Sequence, residues 1–194
     1  SVVVIGSGDA ENAFHGTAAR VSIGRMKFSG FTGSGGEKRQ EQAAIRGTGK
    51  IWGTVPGTMA KEWLIEDVEV SGGYASGVFL GDDFTVRRST FTNNGVTGIG
   101  GTEVHGGLIE RNVISANGFH QADGEYGNGA GIKITQSGSP ERPVVVRHNE
   151  LFGNDEIAIW FDVGCNGFEV INNYIHDHRS QAVMVEISGN GLIQ

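Results

Sequence analysis

A repeat of about 21–24 residues constrains this sequence more than any other feature. Its pattern is an apolar residue, two variable residues, then Asn, Ser or an apolar residue, one variable residue, and a second apolar residue. Self-similarity at such a period indicates a solenoid, in which each repeat buries its apolar face against its neighbours. The copies begin 42, 21, 23, 37 and 24 residues apart, at Ile23, Ile65, Val86, Ile109, Val146 and Val170.

Two further positions keep phase with this repeat. Eight residues after a start, the chain carries a polar residue, namely Asn94, Asn117, Asn154 and His178. Twelve residues after a start, it usually carries a small residue followed by an apolar-x-apolar strand, at Gly77, Gly98, Ala158 and Ala182. Three short strands per coil, stacked at the parallel-strand spacing of about 4.8 Å, explain this arrangement. Equivalent asparagines would then form ladders, adopting turn dihedrals near αL and bonding to the asparagines above and below.

The sequence therefore predicts an all-β, single-stranded parallel β-helix of about seven coils with loop insertions. Residues 1–194 are expected to form one domain that is part of a longer solenoid. The 33 glycines with only 3 prolines suit many turns without a collagen-like or Pro-rich chain. Plentiful Val, Ile and Phe predict a packed core rather than disorder.

Charge and composition exclude several classes of function. A net charge of −7 disfavours nonspecific nucleic-acid binding, which needs basic patches. No apolar run approaches the 18 or more residues that span a bilayer. Cys165 is the single cysteine, so neither an internal disulfide nor a cysteine zinc cluster is expected.

Two segments carry a resemblance to a known superfamily. "VINNYIHDHRSQAVMVEIS" and "VVRHNELFGND" resemble coils of the right-handed parallel β-helix superfamily, which includes pectate lyases, other polysaccharide lyases, epimerases, galacturonidase-type hydrolases and phage tailspikes. "GIKI", "IWFD" and "VEIS" are similar to a group of uncharacterised bacterial β-helix repeat proteins. The signature motifs of pectate lyases and galacturonidases are not visible. The resemblance implies a right-handed helix, and we expect an extracellular or cell-surface protein of bacterial or phage-like origin.

The apolar-x-apolar strands define one face of the solenoid, because their middle residues point outward. Stacking the coils gives a first outward column of His15, Arg46, Phe79, Gly100, Lys133, Trp160 and Met184. The next outward column reads Thr17, Thr48, Gly81, Thr102, Thr135, Asp162 and Glu186. The predicted surface is a shallow groove with an exposed tryptophan, charged walls and a floor lowered by glycines. Such a surface suits sugar rings, which are apolar on their faces and hydrogen-bond at their edges.

The candidate site residues follow from this groove. We expect Lys133, Asp162 and Glu186 to be catalytic, and Trp160 and Arg46 to bind substrate. The insertion 118–130 should bring Glu125 as a further catalytic residue, and His120 and Tyr126 as substrate contacts. Segment 136–143 is expected to project on the other side of Lys133.

Asp162 and Glu186 occupy the same position in adjacent coils, where two carboxylates repel each other. One of them could hold a proton, a cation such as Ca²⁺ could bridge them, or Lys133 could neutralise part of the charge. A protonated carboxyl group beside an ionised one suits glycoside hydrolysis. A cation or Lys133 that neutralises the carboxylate of a uronate substrate suits β-elimination. The sequence does not decide among these outcomes, and no other cofactor is indicated.

Three functions remain open from the sequence. The first is a polysaccharide lyase or glycoside hydrolase, and the second is a non-catalytic adhesin or tailspike-like module that binds a surface glycan. The third is a structural solenoid that associates end to end, since the edges of a β-helix are unpaired. No nucleic acid and no membrane span are expected.

Overall fold

The computed structural model describes residues 2–7, 10–31, 42–47, 59–119 and 129–194. Within these ranges the chain winds through three parallel sheets of seven strands each, which confirms the parallel β-helix of about seven coils. Each coil contributes one strand to each sheet, and every paired strand is parallel to its neighbour in the next coil. None of the described residues forms a helix long and apolar enough to cross a membrane.

The strands are numbered in chain order and grouped by sheet. Sheet I contains β1 (Val2–Ile5), β4 (Met26–Ser29), β7 (Glu69–Ser71), β10 (Thr90–Thr92), β13 (Val113–Ser115), β16 (Glu150–Phe152) and β19 (Tyr174–His176). Sheet II contains β2 (Phe14–His15), β5 (Ala43–Arg46), β8 (Ser76–Phe79), β11 (Thr97–Thr102), β14 (Ala130–Thr135), β17 (Ile157–Asp162) and β20 (Val183–Glu186). Sheet III contains β3 (Ser22–Gly24), β6 (Leu64–Glu66), β9 (Thr85–Arg87), β12 (Leu108–Glu110), β15 (Val144–Arg147), β18 (Asn166–Ile171) and β21 (Gly189–Ile193).

The core lies inside the coil, where one residue of each short strand points inward. On sheet I the inward residues pair in register from coil to coil, as Val70, Phe91, Ile114 and Leu151 do. All four side chains are at most 1% exposed. Burying each such side chain contributes roughly 1.5–3 kcal/mol, so the stacked column is a main source of stability.

Two buried asparagine ladders connect the coils at the turns, as predicted. In one, Asn112 Nδ2 donates to Asn149 Oδ1 at 3.0 Å, and Asn149 Nδ2 donates to Asn173 Oδ1 at 2.9 Å. In the other, Asn94 Nδ2 donates to Asn117 Oδ1 at 2.9 Å and Asn117 Nδ2 to Asn154 Oδ1 at 2.9 Å. These bonds satisfy amides that would otherwise be buried without partners.

One detail of the ladder prediction is wrong. The positive-φ residue is the one before each ladder asparagine, such as Arg111 at φ 54° before Asn112 and His148 at 54° before Asn149. The αL residue turns the chain, so the asparagine side chain that follows it points into the coil. His178 takes the next ladder position after Asn154, with its Nε2 3.1 Å from the Leu151 carbonyl oxygen.

The glycines near the start of strands β11 and β14 of sheet II are explained by the same ladder. A Cβ at Gly98 would lie 2.9 Å from Asn117 Nδ2, and one at Gly131 would lie 2.9 Å from Asn154 Nδ2. Real Cβ atoms do not approach other atoms so closely. The glycine is therefore required because the backbone of sheet II runs directly against the asparagine amides.

Candidate functional site

The outer face of sheet II carries the first outward column in the predicted order. Strand register pairs each member with the next across all seven coils. The column therefore reads His15, Arg46, Phe79, Gly100, Lys133, Trp160 and Met184. We call the part of this surface formed by Lys133, Trp160, Asp162 and Glu186 the Lys133 face.

The second outward column is confirmed only in its last four members. Thr102, Thr135, Asp162 and Glu186 pair in register on adjacent strands. The hydroxyl oxygens of Thr102 and Thr135 are 2.9 Å apart, so these two threonines hydrogen-bond to each other. Asp162 and Glu186 occupy the same column in the next two coils. Of the first three members, Thr17 and Gly81 lie outside the strands and Thr48 lies outside the described residues.

Lys133 is the centre of the Lys133 face. Its ammonium nitrogen lies 3.3 Å from Asp162 Oδ2 and 3.4 Å from the centroid of the Trp160 ring. Trp160 is its register partner on β17, and Asp162 lies two residues further along that strand. The diagonal neutralisation of Asp162 by Lys133, one of the three arrangements expected from the sequence, is thus present.

The Lys133 face is buried, which corrects the prediction of an open groove with an exposed tryptophan. Lys133, Trp160 and Asp162 are only 5%, 7% and 8% exposed. Phe79 lies in the same column, and its ring lies over Gly100: a Cβ there would be 3.0 Å from Phe79 Cδ2. The glycine therefore makes room for the phenylalanine ring instead of lowering an open floor.

Burial changes the acid–base properties of the cluster. It lowers the pKa of Lys133, because a charged ammonium group loses its water, while the negative charge of Asp162 opposes that shift. A lysine with a lowered pKa releases its proton more readily and presents a basic amine at lower pH than a surface lysine does. Shifts caused by burial and a specific partner are typical of functional sites.

Trp160 has an unsatisfied polar atom. Its Nε1 is buried, and it has no hydrogen-bond acceptor among the described residues. The apolar side chains that pack around the ring are Ala130, Ile157 and the partly buried Met184. Buried indole N–H groups usually find an acceptor, so an unpaired donor at this position is unusual.

The remaining predicted site residues are not brought into this cluster. Arg46 is 8% exposed on the same column, but three strand spacings, or about 14 Å, separate it from Lys133. His120, Glu125 and Tyr126 lie outside the described residues, so their roles stay predictions.

A calcium site at Asp162 and Glu186 also stays a prediction. Their main chains are register partners, which places two carboxylate side chains on adjacent strands. Calcium takes six to eight oxygen ligands, and no group of three or more His, Cys, Asp or Glu residues in the described ranges could hold a metal ion. The pair could therefore supply only part of a coordination shell, and the rest would have to come from water or substrate.

Segment 136–143 does not flank Lys133 as expected. It folds onto the corner between sheets II and III, where Arg142 bonds to Asp83 and to the His105 carbonyl oxygen. The chain turns there because the main chain of Ser139 and Arg142 pairs in both directions. The sequence showed an insertion at this point but not the direction in which it folds.

Sequence reasoning missed two contributors to the site. Ile157 packs against Trp160, and the negative charge of Glu156 acts on Lys133. Both residues precede the apolar-x-apolar pattern that was used to find the face. Both lie at or just before the start of β17, the strand next to that of Lys133, and that position in the repeat could have predicted that they contribute to the site.

Fold and register together define a parallel β-helix protein with a buried lysine–tryptophan–carboxylate cluster on one sheet. The chain belongs to the right-handed β-helix family, whose description is "Right handed beta helix region" and which matches residues 56–194. No curated protein matches the chain. A solved structure titled "The complex structure of XylC with xylose" has a similar fold, with a TM-score of 0.58 and 16% sequence identity. The similarity covers 89% of this chain but 32% of that one, so this chain spans about a third of that protein's length.

Proposed function

We propose that this protein is carbohydrate-active, and that the Lys133 face holds an extracellular polysaccharide and cleaves it by β-elimination. The observation that carries the proposal is the contact of Lys133 with both Trp160 and Asp162 in a buried cluster. The structural neighbour whose title names xylose supports the carbohydrate class without specifying a reaction.

The chemistry assigns a role to each residue of the cluster. The neutral amine of Lys133 removes the proton from C5 of a uronate. The electron pair of that C–H bond forms the C4–C5 double bond, the C4–O bond breaks, and the leaving oxygen takes up a proton from solvent. Asp162 holds the amine in place, and Trp160 offers its ring and its Nε1 donor to the sugar. A calcium ion held by Asp162 and Glu186 would neutralise the uronate carboxylate.

The test is a turnover screen on uronate and neutral polysaccharides, with and without chelator, read by the absorbance of the unsaturated product. Lys133→Met should lower turnover by about 100-fold or more, the usual contribution of a general base. Lys27→Met is the matched control, because Lys27 makes an ion pair with Glu69 on sheet I. Full turnover in Lys133→Met, or the same loss in both variants, would refute the assignment.

Non-catalytic glycan binding is the second candidate, and the burial of the cluster favours it. A lysine that is 5% exposed is poorly accessible to the reacting carbon of a polymer, whereas glycan binding does not require Lys133 to reach that carbon. Saturable binding by calorimetry with no product by mass spectrometry would support this function over β-elimination.

End-to-end association stays a separate prediction from the sequence. Light scattering at increasing protein concentration tests it, and a constant monomer mass would reject it.

A further inference from the structure

A concave surface lies where three successive coils enter sheet III, away from the Lys133 face. This cleft has a volume of about 370 Å³, within the range of small-ligand sites. Its lining comes from the coils of β9, β12 and β15 and includes Asp83, Thr85, Leu108, Glu141, Arg142 and Val145.

The floor of the cleft is a register column of sheet III. Thr85, Leu108 and Val145 are direct partners on adjacent strands, so their side chains stand side by side on the outer surface. The two aliphatic side chains provide an apolar strip, and the threonine hydroxyl gives it one polar end. Strand pairing holds this strip rigid.

One wall of the cleft is the ion pair between Arg142 and Asp83, which lies across the coil of β12. Arg142 Nη2 donates to Asp83 Oδ2 at 2.7 Å and to the His105 carbonyl oxygen at 2.8 Å. The pair passes over Gly106, where a Cβ would lie 2.2 Å from Asp83 Oδ1, so a larger residue there would displace the carboxylate. Arg142 is also fixed through its main chain, because its carbonyl oxygen accepts from Gly106 N at 3.0 Å.

We infer that this cleft binds a neutral saccharide segment. A sugar ring can place its C–H face on Leu108 and Val145, while its hydroxyls donate to carboxylates and accept from the guanidinium of Arg142. An anionic ligand would meet the unpaired carboxylate of Glu141 at the rim and no unpaired cation in the described lining. An apolar ligand would desolvate the Arg142–Asp83 pair without replacing its hydrogen bonds, which costs free energy.

This site goes beyond the proposed function, because it lies on another sheet and uses none of the Lys133 cluster. It would add a contact for a neutral glycan whether or not the Lys133 face cleaves a polymer. Loss of turnover and loss of binding in the cleft are therefore separable results.

The experiment is methyl NMR on protein labelled at Leu and Val methyl groups, titrated with cellohexaose, xylohexaose or mannohexaose, and with hexagalacturonate as the charged comparison. We expect at least one neutral hexasaccharide to shift the Leu108 and Val145 methyl signals saturably. Arg142→Met should weaken that binding at least 10-fold. Leu108→Gln, which alters an outward side chain only, should also weaken it.

Two matched variants control for indirect effects. Arg88→Met removes another surface guanidinium paired with acids, outside the cleft, and should leave the titration unchanged. Lys133→Met should also leave it unchanged. The inference is overturned if none of the three neutral sugars shifts these methyls at millimolar concentration, if only hexagalacturonate does, or if Lys133→Met abolishes the shifts in a folded protein.

Discussion

Replacing Asn117 by alanine tests whether the buried ladder holds the coils together. The side chain is fully buried and makes four hydrogen bonds. Its Nδ2 donates to the Phe91 carbonyl oxygen at 3.0 Å and to Asn154 Oδ1 at 2.9 Å. Its Oδ1 accepts from the main-chain and side-chain nitrogens of Asn94 at 3.1 and 2.9 Å.

The expected loss follows from these four bonds. A buried hydrogen bond contributes about 0.5–1.5 kcal/mol net, so Asn117→Ala should lower the free energy of unfolding by about 2–6 kcal/mol. The main-chain N–H of Asn94 loses the acceptor that Asn117 gives it, which places the effect in the upper part of that range. Since domains are stable by only about 5–15 kcal/mol, the change should be large in any unfolding assay.

Urea unfolding followed by circular dichroism measures this loss, with Asn173→Ala as the matched control. Asn173 occupies the part-buried end of the other ladder, with one donated bond to the Val146 carbonyl oxygen at 2.9 Å and two accepted from Asn149. Water can replace those bonds more readily, so its loss should be about half that of Asn117→Ala or less. A loss below about 1 kcal/mol for Asn117→Ala, or an equal loss in both, would refute the reasoning.

Three further predictions concern the packing of the coils, the accessibility of Cys165 and the titration of His176. Gly98→Ala should cost about 1–3 kcal/mol by overpacking, whereas Gly189→Ala, where a Cβ meets nothing within 4 Å, should cost clearly less in the same urea assay. Cys165 is buried and burial raises the pKa of its thiol, so a thiol reagent should label it only as the protein unfolds; rapid labelling of the folded protein would contradict this. The hydrogen bond to Asp177 raises the pKa of His176, so its stabilising effect should be full below the ordinary value of 6.5 and be lost as pH rises through the raised pKa. NMR titration of the imidazole should show Asp177→Asn lowering that pKa, and an unchanged titration would exclude the pair as its cause.

The repeat predicted the fold because strand periodicity and stacking are local rules. A residue two positions along a strand returns to the same face, and a residue one coil later returns to the same column. Those two rules suffice to place Lys133 beside Trp160 and Asp162 beside Glu186, as the register shows. The Asn112 and Asn117 ladders follow from the same phase.

The accessibility of the site could not be predicted in this way. Alternation gives the direction of Trp160 but not what packs over it, and the ring is 7% exposed instead of lying open. The position of segment 136–143 was missed for a related reason, since an insertion has no period to extrapolate. Its direction depends on a long-range contact, the Arg142–Asp83 pair, that sequence spacing does not reveal.

The burial of Lys133 separates a catalytic role for the cluster from a purely structural one by their energetic requirements. If Lys133 acts as a base, the desolvation that lowers its pKa is useful, because it yields the neutral amine that proton abstraction needs. If the cluster is only structural, the same desolvation is an unrecovered cost, and an apolar residue of similar length should be tolerated at least as well. The double variant Lys133→Met/Asp162→Asn removes both charges together and so avoids leaving a buried acid unpaired. A gain in stability with a loss of turnover would show that the pair is kept for function, whereas unchanged turnover with equal or higher stability would show that the pair has no catalytic role.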